Sequence, residues 1–245
     1  MCRRQPAGAK SHIFARAQVF DICGRKERIG MYTHDGRERV WQSGPWDPTI
    51  LCHDCESRYQ LIDKRATEAM RIEPVPGLPN GLSLLPGADA ATLKLYFMHL
   101  LWRAHESKLP DMVGTDLREV GRTRRLRQLL LAGDPGGPKD FAVHLCQFQK
   151  DPQGLDGIIR APERSAWKAN RASSYEIVLG RWLAIITVGA GGPPAEFRDY
   201  ALVPGKPVPV AVGMAFAEAP FFREILDSMR QPGLTGAVKP PPGSR

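Results

Sequence analysis

The chain has no long apolar run. Nowhere in its 245 residues is there anything near the roughly 18 consecutive apolar residues that a membrane-spanning helix requires. The opening "MCRRQPAGAK" carries positive charge with no hydrophobic stretch behind it, so it lacks the pattern of a secretory signal, and a cytoplasmic location is expected. Cysteine is scarce. Five residues, an odd number without an export signal, argue against a disulfide framework and for thiols or metal ligands. Glycine is plentiful, but "LAGDPGGP" lacks the Lys-Ser/Thr of a phosphate loop and "GAGGPP" reads as a turn between strands. Neither a nucleotide-binding loop nor a serine-hydrolase elbow is present.

What remains is an ordinary globular composition, 42% hydrophobic and 24% charged, long enough to bury a core without staples. Lys and Arg number 34 against 26 Asp and Glu, a formal net charge of +8. Such a surface favours polyanionic partners, although charge alone does not demand nucleic acid.

Residues 1–70 hold four of the five cysteines and three of the six histidines and read as a small module closed by a helix. "RIEPVPGLPNGLSLLPGADA", dense in Pro and Gly, reads as a linker or crossing loop. Residues 71–230 then read as an α+β domain. In "ATLKLYFMHLLWRAHESK" Leu93, Phe97, Leu100, Leu101 and Ala104 recur at helical spacing, with Asp89 as N-cap. A second helix is expected in "TDLREVGRTRRLRQLLLAG", capped at Thr115 and stopped at Gly133. From residue 141 short β-branched and aromatic runs, "FAVHLCQF", "YEIVLG", "RWLAIITVG" and "VPVAVGM", predict a small antiparallel sheet. "AEAPFFREILDSMR" suggests a closing helix, and residues 231–245 a flexible basic tail. The fold class expected is α+β: the N-terminal module, a helical pair and that small antiparallel sheet in the C-terminal part.

The chemistry-bearing feature is Cys52-x-x-Cys55. Two cysteines at this spacing can place both thiolates on one tetrahedral metal. A structural zinc site normally uses two such pairs, and the other candidate ligands are Cys2, Cys23, His53 and His34. From spacing alone, zinc ligation and two incidental thiols both stay open.

Residues 2 to about 135 resemble a bacterial family related to the HNH, or ββα-metal, endonucleases. The resemblance rests on Cys2, eight intervening residues, Ser11-His12-Ile13, then Ile50-Leu51-Cys52-His53-Asp54-Cys55-Glu56, then "LKLYFMHLLWRAHESKL". It implies that residues 1–70 form a zinc-binding ββα-like, HNH-like module, with the zinc held by Cys2, Cys52 and Cys55 and Cys2 as the second cysteine of the first pair. The partner of Cys2 would then lie two positions upstream of Met1, unless the site uses three cysteines and another ligand. It further implies His12 as the general base that activates water against a phosphodiester, and Mg²⁺ or Mn²⁺ as catalytic ion. Asp47 falls where such nucleases carry the Asn that orients the base or structures the loop. Glu56 falls where a metal-ligating His is common, and its carboxylate suits a hard cation. Ser11 departs from the acidic or His ligand many relatives carry there.

Each residue also has a plainer reading. His12 can be a hydrogen-bonded structural histidine, Asp47 a helix cap and Glu56 a first-turn acid. Arg118, Arg122, Arg124, Arg125 and Arg127 on the second helix, with Arg16, Arg25, Lys26, Arg28, Arg37 and Arg39 nearer the start, suit phosphate oxygens. The arginines of the helix read equally as a solvated face. Arg16, Arg118, Arg122 and Arg125 are the nucleic-acid candidates. "LWRAHES" is either a functional cluster or packing between module and domain, while His99, His144 and Cys146 read as core residues. The expected function is nucleic-acid binding, of DNA first, as a metal-dependent HNH-type endonuclease. The alternative is a non-catalytic zinc-stabilised interaction protein, and a weaker third reading is a small-molecule or peptide binder using the C-terminal sheet.

Overall fold

The computed structural model describes residues 2, 6–24, 29–32, 38–41, 43–78, 82–117, 120–151, 157–165, 173–189, 192–193 and 195–219. Arg118, His34, most of the expected closing helix and the basic tail lie outside the described residues. Among the described residues no helix is long and apolar enough to cross a membrane.

The class is α+β. In chain order the elements are β1 (Ser11–His12), α1 (Arg16–Cys23), β2 (Ile29–Tyr32), β3 (Glu38–Trp41), β4 (Trp46–Asp47), α2 (His53–Met70), β5 (Val75–Pro76), β6 (Ser83–Leu84), α3 (Ala90–Glu106), α4 (Val120–Ala132), β7 (Ala142–Phe148), β8 (Ile159–Arg164), β9 (Ser173–Leu179), β10 (Trp182–Val188) and β11 (Pro209–Met214).

The sheet corrects the expectation of a small antiparallel one. It has nine strands in the order β3-β2-β8-β9-β10-β7-β11-β6-β5. The β8–β9–β10–β7 block is antiparallel, but β2 joins β8 and β11 joins β7 in parallel. The hairpin β2–β3 comes from the N-terminal stretch, and β5 and β6 come from the Pro/Gly-rich segment read as a linker. Parallel pairing between distant segments leaves no trace in local period, which is why the sequence shows only the antiparallel block. Pro76 is tolerated because β5 is an edge, and Pro162 falls where the β8–β9 register shifts.

α3 is the centre of the molecule. Every residue from Leu93 to Ala104 is buried, because the helix has the sheet on one side and α2 and α4 on others. Such an interior position demands a largely apolar helix, and its buried polar residues are hydrogen-bonded: Lys94 Nζ donates to Gly137 O at 2.7 Å, and Arg103 donates to His99 Nδ1 at 2.8 Å. Asp89 caps it as expected, accepting from Ala91 N at 3.2 Å and Thr92 N at 3.0 Å. Along β10, Trp182, Ala184, Ile186 and Val188 belong to the main core with α3, whereas Leu183 packs with Phe148, Val178 and Phe216 on the opposite face.

The second helix begins later than expected. Thr115 is buried and donates its hydroxyl to Pro162 O at 2.5 Å, pinning the α3–α4 connection to the sheet instead of capping α4. The last carbonyls of α4 take donors from α2: Arg58 Nη1 to Leu131 O at 2.7 Å and Tyr59 Oη to Leu130 O at 2.8 Å. Leu130 O also accepts from Gly133 N at 3.1 Å, and the side chains of α2 add to the satisfaction of these end carbonyls.

Candidate functional site

Two short strands and one long helix build the site. β1 and β4 pair antiparallel with Ser11 opposite Asp47 and His12 opposite Trp46. Side chains alternate along a strand and opposed residues share a face. Ser11 and Asp47 accordingly point into the protein, at 0% and 3% exposure, while His12 and Trp46 look outward. α2 follows directly, with Cys52 at its N-cap position and Cys55 and Glu56 in its first turn.

The sulfurs of Cys2, Cys52 and Cys55 all lie within 4.8 Å of one another, with Cys2 Sγ and Cys52 Sγ 3.6 Å apart. Two thiolates on a tetrahedral metal with 2.3 Å bonds would stand about 3.8 Å apart, so the trio could hold a metal ion. Without one the group is uncomfortable. Burial, then the Cys2 and Cys52 sulfurs, push the Cys55 thiol up to about 11. Metal binding would remove that penalty by replacing the protons. Among the described residues no fourth Cys, His, Asp or Glu joins the group. Cys23 is elsewhere, its thiol donating to Gly157 O at 3.4 Å, and His53 lines the neighbouring cleft.

That cleft, about 690 Å³, runs between β1, α1 and α2. His12 lies in it, and its lining is mixed in charge: Glu56, Asp63 and Glu68 stand beside Lys10, Arg16, Lys64 and Arg71, with Lys64 paired to Glu68 at 4.0 Å and Arg71 to Asp21 at 2.6 Å, while Lys10 and Arg16 act on His12. His12 is half-buried, with Nε2 3.5 Å from Ser43 Oγ. Burial, then the charges of Lys10, Arg16 and Arg103, lower its pKa from 6.5 to about 4. The imidazole is therefore neutral at neutral pH and able to accept a proton, but as a weak base.

Glu56 behaves oppositely. Burial raises its carboxyl, Arg103 and the nearby Ser11 hydroxyl oppose that, and Asp63 adds to it. Glu56 Oε2 and Ser11 Oγ are both buried, and among the described residues neither has a hydrogen-bond partner of acceptable geometry. Such orphaned oxygens are costly unless something binds them. A hard divalent cation suits the Glu56 carboxylate, although His12, Glu56 and Asp63 do not converge into a second ligand group among the described residues.

Asp47 does not face the cleft. Its Oδ1 accepts from Thr49 N at 2.7 Å and Thr49 Oγ1 at 2.6 Å, and its Oδ2 from Ser107 Oγ at 3.0 Å and Lys108 N at 2.9 Å. Burial works to raise its pKa, but these bonds outweigh it and hold the carboxylate low. Asp47 ties the β4–α2 turn to the end of α3. It supports the loop and is not the cap of α2, whose N-cap position is Cys52.

The arginine candidates divide. Arg16 lines the cleft, its guanidinium 5.0 Å above the Phe20 ring. Arg122 donates to Val188 O at 2.6 Å, and Arg125 lies 3.4 Å from Asp140 in a separate concavity with Lys139. Arg118 is outside the described residues.

The residue that spacing undervalued is Arg103 of "LWRAHES". It is 1% exposed and binds His12 O, Asp63 and His99 at once. Its sequence signal is a charged residue inside an otherwise apolar helix stripe, a position that requires partners. His144 and Cys146 are strand residues of the sheet, His144 Nε2 bonding Phe197 O at 2.9 Å and the half-buried Cys146 having its thiol pushed up to about 11 by loss of water around it. No protein-family model, curated protein or solved structure matches the chain.

Proposed function

We propose that the protein binds nucleic acid in the His12 cleft and hydrolyses a phosphodiester there, as an HNH-type endonuclease with DNA as first candidate substrate. The observation that carries this reading is the meeting of His12 from β1 and Glu56 from α2 in one cleft with Lys10 and Arg16, next to a helix N-terminus whose Cys52 and Cys55 cluster with Cys2. The succession of the β1–β4 pair and α2 is the order of a ββα-metal unit, in keeping with the motif resemblance.

In this reading Cys2, Cys52 and Cys55 hold a structural zinc. It fixes the start of α2, and so the placement of Glu56. Glu56 would hold Mg²⁺ or Mn²⁺, which when bound supplies positive charge against the phosphate. Lys10 and Arg16 attract the phosphate, and neutral His12 takes the proton from the attacking water. The lowered pKa of His12 is set partly by Lys10 and Arg16, so a phosphate beside them offsets their charge and makes the base stronger when substrate is present.

Mg²⁺- or Mn²⁺-dependent nicking of plasmid or cleavage of single-stranded DNA tests the reading, and His12→Ala is expected to abolish it. Activity that survives this change rules out His12 as base. The second reading, a non-catalytic zinc-stabilised interaction protein, is favoured by the complete engagement of Asp47 in its loop. It predicts zinc and salt-sensitive retention on DNA without cleavage.

A further inference from the structure

We propose that Trp46, with Lys10, is a nucleobase platform beside His12, and that the cleft therefore takes single-stranded rather than duplex DNA. The inference rests on the nucleic-acid reading above and adds the substrate class.

Trp46 is 36% exposed, whereas Trp102 and Trp182 are 1% and 5% exposed. β4 is two residues long and its inward side chain is Asp47, so Trp46 is the residue that it turns outward. The β1–β4 register sets Trp46 opposite His12, so the indole and the imidazole stand on one face, with Cβ atoms about 5 Å apart. A base on Trp46 would put its own sugar-phosphate beside the imidazole.

The indole stands on a rigid mount. Immediately before it, Pro45 O accepts from Ile13 N at 2.9 Å, and immediately after it Asp47 holds its hydrogen bonds to Thr49, Ser107 and Lys108. Little ordering cost is left for a ligand to meet. Lys10 Nζ stands 4.9 Å from the Trp46 ring centroid, so a cation reaches the ring's negative face. Lys10 also lines the His12 cleft. A stacking base displaces the ammonium from the ring, and the flexible Lys10 stem lets the charge turn to the phosphate.

Aromatic stacking combined with a basic groove is how proteins hold single strands, because every base has a π-face. In a duplex those faces are hidden by neighbouring pairs. Lys10 and Arg16 alone would hold both forms through phosphate, so the platform is what discriminates between them.

Fluorescence anisotropy tests this with three labelled probes of equal length: oligothymidylate, the same length of abasic oligomer, and the thymidylate–adenylate duplex. The protein should bind oligothymidylate at least about tenfold more tightly than either other probe, within the range that a stacked base supplies. Trp46→Ala should remove most of that advantage, Trp46→Phe should keep much of it, and oligothymidylate should quench tryptophan fluorescence in the protein but not in Trp46→Ala. Equal, salt-sensitive binding of all three probes by the unaltered protein, or a Trp46→Ala protein of unchanged fold that keeps the preference, overturns the platform and leaves the phosphate-binding reading intact. Failure to bind any probe at low salt overturns both.

Discussion

Arg103 Nη1 donates to the backbone carbonyl of His12 at 2.5 Å, so the strand bearing the candidate base hangs from a guanidinium on the central helix. The same group reaches Asp63 Oδ1 on α2 at 2.6 Å and His99 Nδ1 at 2.8 Å. Arginine only donates, so His99 Nδ1 is the acceptor and the proton of the neutral ring sits on Nε2. Burial, then the Arg103 charge, keep this histidine well below its ordinary pKa.

Arg103→Ala should be the most damaging single change near the cleft. It would strand Asp63, 13% exposed, without its ion-pair partner, and removing one member of a buried pair costs about 3–5 kcal/mol. Urea unfolding should show a loss of that order. Arg103→Lys keeps the charge but not the fork that spans His12 O, Asp63 and His99, and should fall between.

The cysteine trio predicts metal dependence. Elemental mass spectrometry of the purified chain should find about one zinc per molecule, and Cys52→Ser or Cys55→Ser should lose it together with several degrees of Tm. A strong chelator should reproduce the shift in the unaltered protein and leave the Cys52→Ser protein unmoved. A folded, metal-free wild-type chain would refute the site.

His12 should make stability fall toward acid. Its folded pKa, about 4, lies below the ordinary 6.5, so as pH drops the unfolded chain takes up the proton first. The corresponding stability is present above about 6.5, is lost as pH falls through about 4, and changes no further below that. His99 and His144, both lowered mainly by burial, act in the same direction. His12→Gln should therefore flatten only part of the slope in urea midpoints across this window. NMR of the imidazole should show a midpoint near 4, moving upward when an oligonucleotide binds.

Asp47 offers a direct contrast between support and ligation. Asp47→Asn preserves the Oδ1 acceptor while its amide cannot accept from Ser107 and Lys108, and should cost about 1–2 kcal/mol; Asp47→Ala, which breaks all four bonds, should cost more. Metal content and any cleavage should survive Asp47→Asn in proportion to the folded fraction. Cleavage abolished in a fully folded Asp47→Asn protein would instead show that the carboxylate serves a cation.

Local chemistry made part of this protein legible in sequence. Asp89 and the apolar run behind it announce α3, the alternating runs after residue 141 announce the antiparallel block, and the Cys52-x-x-Cys55 spacing allows two thiols to meet one metal. Hydrophobic period, capping and short spacings act within a few residues, so they survive in one dimension.

Tertiary structure decided the rest. It brought Cys2 to Cys52 across 50 residues, carried β2 to β8 and β6 to β11 to make nine strands of an apparent few, and turned Asp47 from a candidate at the cleft into the anchor of its loop. It also gave Arg103, an ordinary-looking charge in "LWRAHES", the task of holding β1 to α2. These outcomes depend on which distant groups meet and on burial that withholds water from them. Burial does most to lower the His12 pKa and to raise that of Glu56, and no local pattern of residues encodes it.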